Sequence, residues 1–147
     1  MASAAAEDAT GITRSEYERL AGFRHALRAF LRFSENAAAE AGLSARQHQA
    51  LIAIKGFPGD GITIGALAES LQLRHHSVVG LVDRMAGKRL VIRRRGADDG
   101  RRVELVLTRR GEALLERLAL SHRDELRRLA PQIELLLADL RPRKRGR

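Results

Sequence analysis

Apolar residues recur at helical spacing along most of this chain and switch to period two only once. Tyr17, Leu20, Phe23, Leu27, Phe30 and Leu31 follow one another at three- and four-residue steps, with charged residues between them. That spacing puts them on one stripe of a helix. Thr13-Arg14-Ser15-Glu16 ahead of the stripe reads as a capping box, and Gly42 as the stop at its far end. Together they predict one helix of about 28 residues and about 40 Å. Ser44-Ala45-Arg46-Gln47 is a second capping box, opening a helix through Ala50, Leu51 and Ile54. The turn-rich run Gly56–Gly61 ends it. Thr63 caps a short helix over Ile64–Ser70, with Leu67, Ala68 and Leu71 inward. After a tight connection at Gln72–Arg74, Val78, Leu81, Val82 and Met85 mark another helix over His75–Ala86. Two short helices joined by so short a turn form a helix-turn-helix unit.

The period-two stretch follows directly. Leu90–Arg93 and Val103–Leu107 flank Asp98-Asp99-Gly100, and Asp-Gly between such runs signals a hairpin whose Gly takes φ > 0. Val103, Leu105 and Leu107 fall on one face, suited to packing on a core. Arg93, Arg94, Arg95, Arg101 and Arg102 crowd the tip. Thr108 then caps a fifth helix, with Leu114, Leu115, Leu118, Leu126 and Leu129 apolar. Pro131 fits the first turn of a sixth, with Ile133, Leu136, Leu137 and Leu140 as its buried face and Arg141-Pro142 as its stop.

Composition narrows the chemistry. At 147 residues with 44% apolar content, the chain suits one domain with additional helices. With no Cys, disulfides, thiolate catalysis and Cys-ligated zinc are excluded. No apolar run approaches the roughly 20 residues that span a bilayer, and no signal-peptide pattern opens the chain, so the expectation is a cytoplasmic protein that binds no membrane. The net charge is +9, which favours polyanionic partners. Residues 1–12 are expected to be disordered, and 142–147 to form a basic tail.

The order helix, helix, helix-turn-helix, hairpin, helix, helix resembles the MarR family of winged-helix transcriptional regulators. The resemblance is sharpest in ITIGALAESLQL, HSVVGLVDRM and DDGRRVELVLTRRG. Its most specific element is Asp99-Gly100-Arg101, the strand Val103–Leu107, then Thr108 and Gly111. It implies a mainly α fold with a small β-hairpin wing (α+β), a winged helix-turn-helix over 43–107 flanked by dimerisation helices at 13–42 and 108–141. It further implies a homodimeric repressor that binds palindromic operators in double-stranded DNA and is released by a small aromatic or phenolic ligand. Two departures stand out: Arg74-His75-His76 where relatives often open the recognition helix with Ser or Thr, and Arg89 where they have Gly.

Candidate DNA contacts follow from where such a reader meets a groove. The outward positions at the start of the recognition helix are His75, His76, Ser77, Val79 and Gly80, the part that a major groove admits. Thr63 is a further candidate at the start of the preceding helix. Arg101 suits a narrow minor groove, with Asp99 expected to orient its guanidinium. Arg94, Arg95 and Arg102 suit phosphates, which position without specifying. By resemblance, Phe23, Arg24, Phe30 and His48 are candidates for a ligand pocket. No catalytic residues, cofactor or metal are expected. There is no phosphate-binding Gly loop or nucleophile elbow, and His25, His48 and His122 are scattered; a zinc-sensing alternative would draw its ligands from His48 and His122 with Asp124 or Glu125. The alternative to a sequence-reading regulator is a nonspecific DNA-architectural protein. An RNA-binding module would want stacking aromatics, and aromatics are only 3% of the chain.

Overall fold

The computed structural model describes residues 11–140. The expected N-terminal disorder at 1–10 and the basic tail at 142–147 lie outside them. The elements are α1 (Arg14–Glu40), α2 (Ala45–Gly56), α3 (Ile64–Leu71), α4 (His75–Gly87), β1 (Val91–Arg95), β2 (Val103–Leu107) and α5 (Arg109–Leu140). The chain divides into two compact units, one of residues 34–121 and one of 1–33 with 122–147.

The unit of residues 34–121 holds the helix-turn-helix and the hairpin. Its core is Leu51, Ile62, Leu67, Val78, Val82, Met85, Leu90, Val91 and Leu105, all but sealed from solvent. Burying each contributes roughly 1.5–3 kcal/mol. Caps read from the sequence are formed. The Ser44 hydroxyl accepts from the Gln47 amide at 3.2 Å while the Gln47 side chain accepts from the Ser44 amide at 3.1 Å. Thr63 likewise accepts from the Ala66 amide. α2 packs on α3 and α4, and both α2 and α3 pack on β2. Ile62 extends the hairpin by a bridge to Leu105, exchanging two backbone hydrogen bonds with it.

α4 ends in a corner on which the hairpin and α5 are hung. The Leu90 amide reaches back to the Met85 carbonyl at 3.0 Å and the Arg89 amide to that of Ala86 at 2.9 Å, with Arg89 left-handed at φ 59°. This is the Schellman closure. Its left-handed position is the one where Gly was expected by resemblance, so an arginine here carries strain of about 1–2 kcal/mol. The Thr108 hydroxyl donates to the Arg89 carbonyl at 2.6 Å and accepts from the Gly111 amide at 3.0 Å. The Thr108 amide donates to the Leu90 carbonyl. A Cβ on Gly111 would lie 2.2 Å from that same carbonyl oxygen, so only glycine lets α5 start here.

In the other unit, Ala26 is buried, and Phe30 and Phe33 set their rings edge-on to His122 at 5.8 and 5.3 Å. The structure corrects the expected sixth helix, because α5 runs unbroken through Pro131. His122, Leu129, Ile133 and Leu136 stay in helical phase across the proline and are buried or half-buried, whereas Pro131 is exposed. Continuing the helix therefore keeps one stripe aligned, at the loss of one backbone hydrogen bond. The strand face is also corrected: Leu105 is buried and Leu107 half-buried, but Val103 is 48% exposed, because it pairs with Arg95 at the far end of the hairpin.

Two substitutions at the corner should move stability in opposite directions. Gly111→Ala should cost at least about 2 kcal/mol in urea denaturation, since the clash is with backbone. Arg89→Gly should gain about 0.5–1 kcal/mol by removing the left-handed strain.

Candidate nucleic-acid interface

The exposed face of α4 is set by what the helix buries. Val78, Leu81, Val82 and Met85 are in the core. That leaves His75 and His76 exposed and Ser77, Val79 and Gly80 half-buried, as their positions on the helix require. α4 begins without a side-chain cap, since Arg74 supplies none, and has no acidic residue in its first turn. Thr63 is occupied as the cap of α3.

Sequence reasoning missed two residues on this helix. Asp83 pairs with Arg93 of β1 at 2.6 Å, tying the hairpin to α4. Arg84 is exposed and turns back along the helix. A Cβ on Gly80 would lie 3.5 Å from its Nη1. The Arg84 guanidinium makes no hydrogen bond or ion pair with the described residues. The available signal was a glycine four residues ahead of an arginine on a helix, positions that lie one above the other.

The wing tip is a seven-residue connection. Gly96 donates to the Arg102 carbonyl at 2.7 Å and Arg102 to the Asp99 carbonyl at 3.0 Å. Gly100 is not among the positive-φ residues, so the expected left-handed Gly gives way to a type I-like turn, in which Asp is favoured at the first position. The Asp99 carboxylate accepts from the Arg101 backbone amide at 3.0 Å. It does not orient the Arg101 guanidinium as expected, because the short Asx side chain bonds its own turn two residues on.

The arginines at the tip differ in how far their charge is spent. Glu104 stands 3.8 Å from Arg94 and 4.0 Å from Arg102, and Arg94 also donates to the Asp60 carbonyl. Arg95 donates to the Gly100 carbonyl at 3.2 Å. Among the described residues the Arg101 guanidinium has no hydrogen-bond or ion-pair partner. Arg95 and Arg101 thus keep an uncompensated charge, whereas Arg94 and Arg102 share a carboxylate.

The ligand candidates are not gathered within either unit. Phe23, Arg24 and Phe30 lie on α1 in the unit of 1–33 and 122–147, with Phe23 and Phe30 half-buried and Arg24 exposed. His48 is buried on α2 in the other unit. A cavity of about 280 Å³ is lined by Ile54, Lys55, Asp60, Leu105, Leu107 and Glu112, among others. A second, of about 260 Å³, lies between Ala37, Glu40, Leu114, Arg117 and Ser121. None of the four candidates lines either. No group of three His, Asp or Glu among the described residues could hold a metal, and no described helix is long and apolar enough to cross a membrane.

Residues 41–102, which include α2 to α4 and most of the wing, match the family model described as MarR family. Over that stretch the chain is similar to the MarR family. Its fold is that of solved MarR-family regulators. MepR, a transcription regulator of the Staphylococcus aureus multidrug efflux pump MepA, is 22% identical over 88% of this chain and 94% of its own, with a TM-score of 0.68. The F27L mutant of MepR, bound to an oligodeoxyribonucleotide, is 24% identical over 84% and 92%, with a TM-score of 0.65. AbsC, a MarR-family transcriptional regulator from Streptomyces coelicolor, is 22% identical over 80% and 79%, with a TM-score of 0.63. Among curated proteins nothing matches the chain.

The wing makes a simple contrast. Asp99→Ala should cost about 0.5–1.5 kcal/mol and speed hydrogen exchange at the Arg101 amide. Arg101→Ala should stay within about 0.5 kcal/mol of the parent. Equal losses in urea denaturation would contradict the separate roles.

Proposed function

We propose that this protein is a transcription regulator that reads double-stranded DNA as a homodimer, acting as a repressor at palindromic operators. The observation that carries the reading is the pairing of two features in one unit. α4 buries one stripe completely and leaves its opposite face without structural partners, and the adjacent wing tip carries an unpartnered guanidinium at Arg101. In this reading α4 enters a major groove, with His75, His76, Ser77, Val79 and Gly80 toward the bases. Arg101 enters the flanking minor groove. Arg95 meets phosphate most readily, and Arg94, Arg102 and the Thr63 hydroxyl are secondary contacts, with Asp99 shaping the turn. The family match and the fold shared with a DNA-bound MepR support the same reading. It assigns the chain no catalytic step and places it in the cytoplasm.

The homodimer rests on α1 and α5. Tyr17, Leu20, Leu27, Leu31, Leu126, Leu135 and Leu137 are each 42–65% exposed, a density of apolar surface that a second chain would cover. The segments 13–42 and 108–141 then serve dimerisation, and 43–107 binds DNA. Release by a small aromatic or phenolic ligand, with Phe23, Arg24, Phe30 and His48 as contacts, completes the proposal.

Selection of genomic duplex fragments by the purified protein at about 0.15 M salt is the direct test. Recovery of a few palindromic sites, with half-sites about one helical turn apart, is expected. Uniform recovery would establish the nonspecific architectural alternative instead. At a recovered site, Arg101→Ala should weaken binding by about 1–3 kcal/mol with the dimer intact. Leu20→Glu with Leu27→Glu should give monomers by sedimentation.

A further inference from the structure

We infer that Arg84 is a base-reading residue whose guanidinium lies over Gly80 on the exposed face of α4. The inference rests on the DNA-reading proposal above and adds to it the identity of a specificity determinant. Helical side chains lean toward the helix N-terminus and cover the turn ahead of their own Cα. Arg84 follows this rule, and its Nη1 comes to lie over Gly80, 3.5 Å from where a Cβ would stand, so that a side chain larger than alanine there would meet it. A cation seated in the last turn of α4 is thereby carried toward the middle of the exposed face, onto the line of His76, Ser77 and Gly80.

Two features argue that this arrangement serves a ligand rather than the fold. A glycine inside a helix is unfavourable relative to alanine, and here nothing but the Arg84 guanidinium comes within 4 Å of the missing Cβ. No backbone or core side chain demands the gap. The guanidinium in turn has no carboxylate or carbonyl partner among the described residues, while the neighbouring Asp83 is engaged by Arg93. A planar fork of donors on the exposed face of a reading helix matches the O6 and N7 acceptors of guanine. The partner is therefore a G·C pair in each half-site, contacted in the major groove.

Selection from randomised duplexes by the full-length protein, with wild type, Arg84→Ala, Arg84→Lys and Gly80→Leu in parallel, tests this. The expected wild-type motif holds a G·C pair at one symmetric position in both half-sites. Arg84→Ala should lower the preference at that pair about tenfold or more and leave the other positions unchanged. Arg84→Lys should restore part of it, and Gly80→Leu, which takes the space of the guanidinium, should lose preference at the same pair. A motif unchanged by Arg84→Ala overturns the inference while leaving the DNA-reading proposal standing. So does a uniform loss of affinity with a shallower salt dependence, which would make Arg84 a phosphate contact. A wild-type protein that selects no motif removes both.

Discussion

The contact between Gly111 and the Leu90 carbonyl is the constraint on which the reader depends. The end of α4, the start of β1 and the start of α5 all meet at that one backbone oxygen, which also accepts from the Thr108 amide. Thr108 closes the corner from the other side by bonding Arg89 and capping α5. Moving this corner would shift the wing and the recognition helix together. The run Leu107-Thr108-x-x-Gly111 thereby acquires a physical content. The threonine holds a helix end and a helix start at once, and the glycine is the only residue thin enough to sit on the strand between them.

α4 is poorly provided for as a helix in its own right. It lacks an N-terminal side-chain cap, carries a glycine in its interior and closes through a left-handed arginine. Each is unfavourable by about 1 kcal/mol. Its place is held instead by four buried side chains, by the Asp83–Arg93 pair and by Lys88. That lysine donates to the Gly42 carbonyl at 2.6 Å and to the Gln47 side chain at 3.0 Å, linking the end of α4 to the caps between α1 and α2. The buried stripe and these two tethers position the helix, so its opposite face has no structural duty.

Elements whose signals are local were legible in the sequence. The capping boxes at Thr13 and Ser44, the cap at Thr63, the core stripe of α4 and the two strand segments all depend on residues within a few positions of one another. What was not legible depends on packing or on competition between neighbours. Pro131 reads as a helix start by its own chemistry, and only the phase of the stripe on either side shows that the helix continues. Asp-Gly reads as a left-handed hairpin turn, but a seven-residue connection allows Asp99 to bond the Arg101 amide instead. The arginines at the tip look equivalent in sequence. Glu104, on the opposite strand, decides which of them remain free.

Pairing with a carboxylate is how a basic wing distinguishes positioning from probing. Charge density alone would make every arginine at the tip an equal contact with a polyanion. The cross-strand Arg94–Glu104 register converts this cluster into a graded one, with Arg94 and Arg102 partly neutralised by Glu104 and Arg95 and Arg101 left uncompensated. Exposed ion pairs of this kind contribute little to stability, so their effect on the fold is small. Their effect on charge placement is large, since one carboxylate shared by two guanidinium groups leaves Arg95 and Arg101 to carry the unscreened charge of the tip. An approaching phosphate backbone therefore meets its strongest unscreened partner at the end of the hairpin. The same logic holds on α4, where Asp83 is drawn off by Arg93 and Arg84 is left free. In both places an acidic residue committed to one arginine determines which other arginine is available.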